Sequence, residues 1–267
     1  LAQYGITPES MGVPFEPEMN VALLGETPSG APVYFSRAAL AADGVIPIGR
    51  VKPHTSFRGR IESGIYKMLA IGFGKHRGAA ALHSFGFERF AQLIPEVGDF
   101  ILSRVNVVAA VAIVENARED PALIEVLLPE EVPSREPELL EMARAWMGRI
   151  LFDEFEVLIV DEIGKDISGD GMDPNVTGRF SLPFMSGGPR VQKIAVLDLT
   201  EETHGNANGI GAADVTTQAV LDKIDFVQTY TNAITSTVLS VAKLPIVMPT
   251  KRAAVALCLK TLNGVRP

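Results

Sequence analysis

The sequence predicts an α/β protein of two lobes, with mostly parallel sheets flanked by helices and a ligand site in the cleft between them. Three observations predict it. Short apolar runs at 107–114, 157–161 and 193–198 read as buried strands, and stretches of helical periodicity alternate with such runs along the chain. The later strands close on polar or Gly/Pro-containing loops, where ligands collect in sheets of this kind. A charged, proline-containing stretch before Phe155 divides the chain into an N-terminal lobe, 1–150, and a C-terminal lobe, 151–267.

The elements follow in order. Pro8, Pro14, Pro17, Pro28 and Pro32 forbid a long helix over 1–35, which reads as turns and extended chain. Residues 44–51 form a short apolar strand and 52–62 a loop. Ser63 caps a helix that runs to Ile71, where Gly72 and Gly74 break it. A second helix spans 75–83, and a third, amphipathic despite Pro95, spans about 87–103. After strands at 107–114 and 122–128, Ser134 and Glu138 open a helix to Ile150. Strands at 157–161, 193–198 and 244–247 then alternate with helices at 213–223, 226–237 and 251–261.

Composition narrows the function. The 267 residues carry a formal charge of -8, the wrong sign for a phosphate-binding face, so nucleic acid is excluded as a partner. The single cysteine, Cys258, cannot form an internal disulfide. No apolar run reaches the roughly 18–20 residues that span a bilayer, so no membrane is expected and the location is read as cytoplasmic. The chain opens at Leu1 without methionine and stops at Asn-Gly-Val-Arg-Pro, where another strand is expected; it reads as a fragment with sequence missing before Leu1.

Against this acidic background, residues 51–83 concentrate positive charge. They hold His54, His76 and His83, three of the four histidines, with Lys52, Lys67, Lys75, Arg58, Arg60 and Arg77 among five glycines. Such a run is commonly a solvated loop. Here the glycines stand beside the polar residues, as they do where backbone approaches a ligand. Lys67 also sits among Ile65, Tyr66, Met68, Leu69 and Ile71, and a desolvated lysine near other cations becomes a nucleophile or covalent anchor.

The order Pro53-His54-Thr55-Ser56-Phe57-Arg58-Gly59, then Ser63-Gly64-Ile65-Tyr66-Lys67, then His83, resembles the nickel-dependent lactate racemase family. Segments 161–179 and 197–217 are similar to an uncharacterised, lactate-racemase-like branch of it. The resemblance implies a nickel-pincer nucleotide, a pyridinium-dithiocarboxylate mononucleotide joined covalently to Lys67 in the Ser63-Gly64 motif. It implies nickel on His83, and His54 as one of two acid/base residues. The second such histidine lies upstream in the lactate enzymes, so it is expected in the absent region before Leu1.

The chemistry is coherent. Square-planar nickel suits imidazole beside sulfur, and inverting a 2-hydroxy acid needs a hydride acceptor that only a cofactor supplies. Arg58 or Arg60 is placed to bind the substrate carboxylate. Gly74 and the helix start at Lys75 offer a phosphate site, although Lys75 and His76 also read as a solvated helix end. His204, after a strand end, either contacts ligand or steadies its loop. The expected activity is a racemase or epimerase at C2 of a small-molecule 2-hydroxy acid. Two alternatives remain: a divalent-metal hydrolase or lyase using the acidic run Asp161, Glu162, Asp166, Asp170, Asp173 with His204, and a non-catalytic cofactor carrier.

Overall fold

A computed structural model describes residues 6–14 and 18–264; Pro17 and the chain ends at 1–5 and 265–267 lie outside the described residues. The architecture is mixed α/β, with three sheets among the described residues. Strands β1 (Val21–Glu26) and β2 (Pro32–Ser36) form an antiparallel hairpin. In the next sheet, β3 (Ile48–Arg50) pairs in parallel with β4 (Ala110–Glu115). β5 (Pro121–Leu127) then turns back antiparallel on β4. This departs from the mostly parallel expectation for the first half. Five residues separate β4 from β5, and a parallel crossover needs a dozen or more.

The second half holds a four-stranded parallel sheet in sequence order: β6 (Glu154–Val160), β7 (Arg190–Val196), β8 (Val215–Thr217) and β9 (Ile246–Met248). Alternate residues of β7 serve different cores. Ile194 and Val196 join Ile163, Leu199, Ile210 and Val220, whereas Ala195 packs with Val215, Ala254 and Cys258 under helix Lys251–Lys260. Both faces are covered, as a parallel sheet requires.

The expected helix over 213–223 is only Gln218–Lys223. Val215–Thr217 is strand, paired with β7 at Val215 and with β9 along its length, and the hydroxyls of Thr216 and Thr217 add bonds to the Val196 and Leu197 carbonyls at 2.9 and 3.0 Å. Thr217 then caps the shortened helix through the Val220 N–H.

The largest core lies under β4. Helix Phe90–Leu102 places Phe90, Leu93, Ile94, Val97 and Ile101 on one stripe, and helix Val132–Trp146 adds Leu139, Leu140 and Ala143. Ala233, Val238 and Val241, far along the chain, complete this core and bring the second half against the first. The opposite face of the β3–β4–β5 sheet leaves Ile48, Ile124 and Val126 exposed.

Candidate active site

His54, Lys67 and His83 line one cavity of about 250 Å³. Its far wall comes from the second half of the chain: Gly169, Asp170, Asn208, Asn232, Ser236, Val238 and Val241.

Lys67 is placed by an unusual helix. The α-turn Ile65–Lys67 runs straight into a π-helical stretch, Met68–Gly72, a widened winding that recurs at functional sites. Ser63 does not cap it, contrary to the sequence reading. Its backbone is held in a bridge with Lys52, with N–H···O distances of 3.1 and 3.2 Å. The cap is the buried carboxylate of Glu136, which accepts the Tyr66 N–H at 3.2 Å. Gly64 is required there, because a β-carbon would meet the Glu136 carboxylate and Val51. Burial pushes Glu136 up to about 7, against the opposing pull of the Tyr66 and Ile65 amides. Tyr66 runs beneath and donates its hydroxyl to Asp99 at 2.5 Å.

His54 is held at both ends. Its N–H donates to Glu62 Oε2 at 2.6 Å, and its carbonyl accepts from Arg58 Nη1 at 2.6 Å. The Ser56 N–H donates to the ring at Nδ1, 3.0 Å away. Glu62 organises the loop: its side chain is wholly buried, accepts Gly59 N–H at 3.1 Å and meets Arg144 at 2.6 Å.

Both histidines rest on an aromatic floor. His54 lies 4.5 Å from the Phe57 ring centre and 6.0 Å from that of Phe87. His83, the last residue of helix Lys75–His83, lies 5.2 Å from both Phe87 and Phe90. Its Nδ1 is buried and meets no hydrogen-bond partner of proper geometry, although the Ala79 carbonyl one turn back is near enough to favour the charged ring.

This setting decides protonation. Burial holds His54 well below the usual imidazole range, reinforced by Lys67, His83, Arg58 and Lys52. Burial also lowers His83, with Lys67 adding to the effect. Lys67 falls to about 8: burial leads, Lys52 and Lys165 push the same way, and Asp170 opposes. Asp170 is raised by burial despite hydrogen bonds to Thr55 and Asn208 and the nearby Lys165. At neutral pH both imidazoles are uncharged, and Lys67 carries an appreciable neutral fraction.

The remaining predicted residues lie outside this cavity's lining. Gly64 borders an adjoining cavity of about 290 Å³, whose lining also includes Lys67, Lys52 and Arg50. Arg58 reaches Asn175 and lies 5.3 Å over the Phe180 ring. Arg60 donates to the Pro133 carbonyl at 3.2 Å. Lys75 opens its helix at a φ of 54°. His204 is exposed, with a φ of 50°, and Asn208 is the residue of its loop that reaches the cavity. Asp170 alone of the acidic run lines it, and among the described residues no three His, Cys, Asp or Glu side chains form a metal-holding group. The acidic run and His204 therefore do not assemble as a divalent-ion site.

Asn208, Phe87, Phe90, Glu62 and Glu136 are the contributors that sequence reasoning missed, and Asp170 was named only within the acidic run. Asp170 and Asn208 had a signal, their places in the 161–179 and 197–217 segments.

No family model matches the chain, and no curated protein matches it. Among solved structures, it is similar to the lactate racemase apoprotein from Thermoanaerobacterium thermosaccharolyticum, at 13% identity and a TM-score of 0.48. The match covers 87% of this chain and 58% of that one, so this chain spans less than two thirds of its length. Likeness at that level assigns neither family nor activity. No helix among the described residues is long and apolar enough to cross a membrane.

Proposed function

We propose that the cavity holds a nickel-pincer nucleotide joined to Lys67, and that the protein is a racemase or epimerase inverting C2 of a 2-hydroxy acid. The observation that supports this reading is the convergence of Lys67, His83 and His54 on one cavity from separate points of the sequence.

The side chains present suit the group. Lys67 near 8 offers the neutral amine that covalent attachment needs. His83, neutral and with a buried nitrogen lacking a partner, has the character of a single imidazole donor to a metal. Lys67, Gly64 and Lys52 border the adjoining cavity and would hold the nucleotide part of such a group. When bound, it supplies the hydride acceptor that no side chain can provide.

The rest falls to the chain. Lys52, Lys165 and Arg58 outweigh Asp170 around the cavity and draw in a carboxylate. Phe87 and Phe90 give the cavity an apolar wall, which strengthens charge interactions beside it. His54 meets the substrate hydroxyl, and Arg58, outside the lining, adds positive field rather than a direct contact with the carboxylate. Expression in a host that makes the cofactor tests the reading, by intact mass, peptide mapping, nickel analysis and a chiral assay across 2-hydroxy acids. A nucleotide-sized adduct on Lys67 with interconversion of enantiomers is expected. An unmodified Lys67 from such a host overturns it.

A further inference from the structure

The sequence reading makes His54 a proton acceptor, and the loop around it is built against that role. A neutral imidazole carries one proton, and which nitrogen holds it is set by the bond the other makes. The Ser56 N–H points at Nδ1 at 3.0 Å, so Nδ1 is an acceptor and the proton resides on Nε2. To take a proton at Nε2 the ring would first have to carry its own proton on Nδ1 and would end as an imidazolium, and both states set an N–H against the Ser56 N–H. Glu62, Arg58 and Asn175 hold the His54 backbone, and the ring itself is packed against Phe57 at 4.5 Å and Phe87 at 6.0 Å, which opposes its turning away. Lys67, Arg58 and Lys52 also surround it, each opposing a positive ring.

The cavity has another group for the task. Asp170 is the carboxylate in its lining, positioned by the Asn208 amide at 3.3 Å and by the Thr55 hydroxyl next to His54. Asn208 is itself buried, donates a second bond to the Gly169 carbonyl at 3.2 Å and keeps its own Oδ1 unpaired. Lys165, Lys67 and Asp173 are the other charges acting on Asp170 or acted on by it.

We propose that His54 is locked as an Nε2–H donor to the ligand oxygen, and that the proton acceptor of the cavity is Asp170. In this step the O–H bond of the ligand hydroxyl breaks and its proton forms a new O–H bond on the Asp170 carboxylate. The oxygen left with negative charge accepts the His54 Nε2–H bond, the kind of fixed donor that stabilises developing oxyanions. Burial makes Asp170 a stronger base than an exposed aspartate. The assignment rests on the 2-hydroxy acid reading for its substrate, but the state of His54 belongs to the protein alone.

Two measurements test it. Long-range 1H–15N spectra of 15N-histidine protein without cofactor, with His54→Gln locating the resonance, should show His54 as the Nε2–H tautomer from pH 6 to 8. An Nδ1–H tautomer or an imidazolium in that range would overturn the proposal whatever the activity. In cofactor-loaded protein, Asp170→Asn should lower kcat by about 10²–10⁴-fold with adduct mass and nickel content unchanged. His54→Gln, which keeps an N–H donor, should lose less. Near-normal turnover in Asp170→Asn, or a greater loss in His54→Gln, would also overturn it. Loaded wild-type protein inactive on every 2-hydroxy acid would count against the functional reading instead, and the spectrum would still decide the state of His54.

Discussion

Glu62 and Arg144, 82 residues apart, meet at 2.6 Å, and this pair holds the loop that carries His54. The Glu62 side chain has no solvent exposure, and its two oxygens take the His54 and Gly59 amides as well. Removing one partner of a buried pair leaves a charge with little compensation, at a cost of about 3–5 kcal/mol. Arg58 remains at 3.8 Å and Arg144 is a third exposed, so Arg144→Met should cost about 2–3 kcal/mol in denaturant unfolding. Amide exchange at His54 and Gly59 should accelerate more than elsewhere. A variant with both amides still protected would show that the loop does not depend on Arg144.

Lys67 should stand out chemically. With its amine near 8, about half is neutral at pH 8, while ordinary lysines near 10.5 are almost wholly charged. Competitive labelling with an amine-reactive reagent small enough for the cavity should mark Lys67 first, its rate rising through a midpoint near pH 8. Asp170→Asn should move that midpoint down, since Asp170 holds the Lys67 proton in place. A midpoint near 10.5 would remove the basis for covalent anchoring.

Glu136 should make stability depend on pH in the direction opposite to most carboxylates. Its folded value of about 7 lies above the ordinary 4.5, so the folded state binds an extra proton between the two. The favourable contribution is complete below pH 4.5 and is lost as pH rises through 7. The difference corresponds to roughly 3 kcal/mol for this buried group. Glu136→Gln, which keeps an acceptor for the Tyr66 amide, should flatten that part of the profile and be the more stable protein at pH 8. Parallel profiles for the two proteins would contradict the assignment.

His83 and Lys67 should fail in different ways in protein from a cofactor-making host. His83→Ala is expected to keep the organic adduct on Lys67 and to lose nickel. Lys67→Ala is expected to lose both. Equal nickel in His83→Ala and wild type would take His83 out of the metal's surroundings.

Much of this was legible in the sequence, for reasons that particular residues make clear. Helix Phe90–Leu102 is readable because one stripe spaced three and four residues apart is buried. Helix Lys75–His83 has the bounds its pattern suggests. Strand β8 was missed because three residues carry too little periodicity, and its Asp-Val-Thr-Thr reads as the approach to a helix. Lys67 declares itself by standing alone among apolar neighbours. Glu136 and Glu62 declare nothing, since a buried carboxylate looks like a surface one until its amide partners, up to 70 residues away, are known. Asp170 and Asn208 stand in segments the sequence marks, but their place in this cavity is not legible there, since Ala233, Val238 and Val241 fasten the later part of the chain to the first core. His204 was left open between ligand contact and loop support, and the turn at its positive φ leaves it in solvent.

Lys67 and Ile71 both border two cavities, and so form a shared partition between them. A bulky group attached to the lysine nitrogen would therefore act as a stopper in that wall. Assembly would then have a fixed sequence, with the attached group seated before any small acid arrives. The acid would have only the remaining chamber to enter and leave by. Traffic of that sort shows itself in kinetics: an acid present during loading should compete with attachment, whereas the same acid added afterwards should exchange freely and leave the attached group undisturbed.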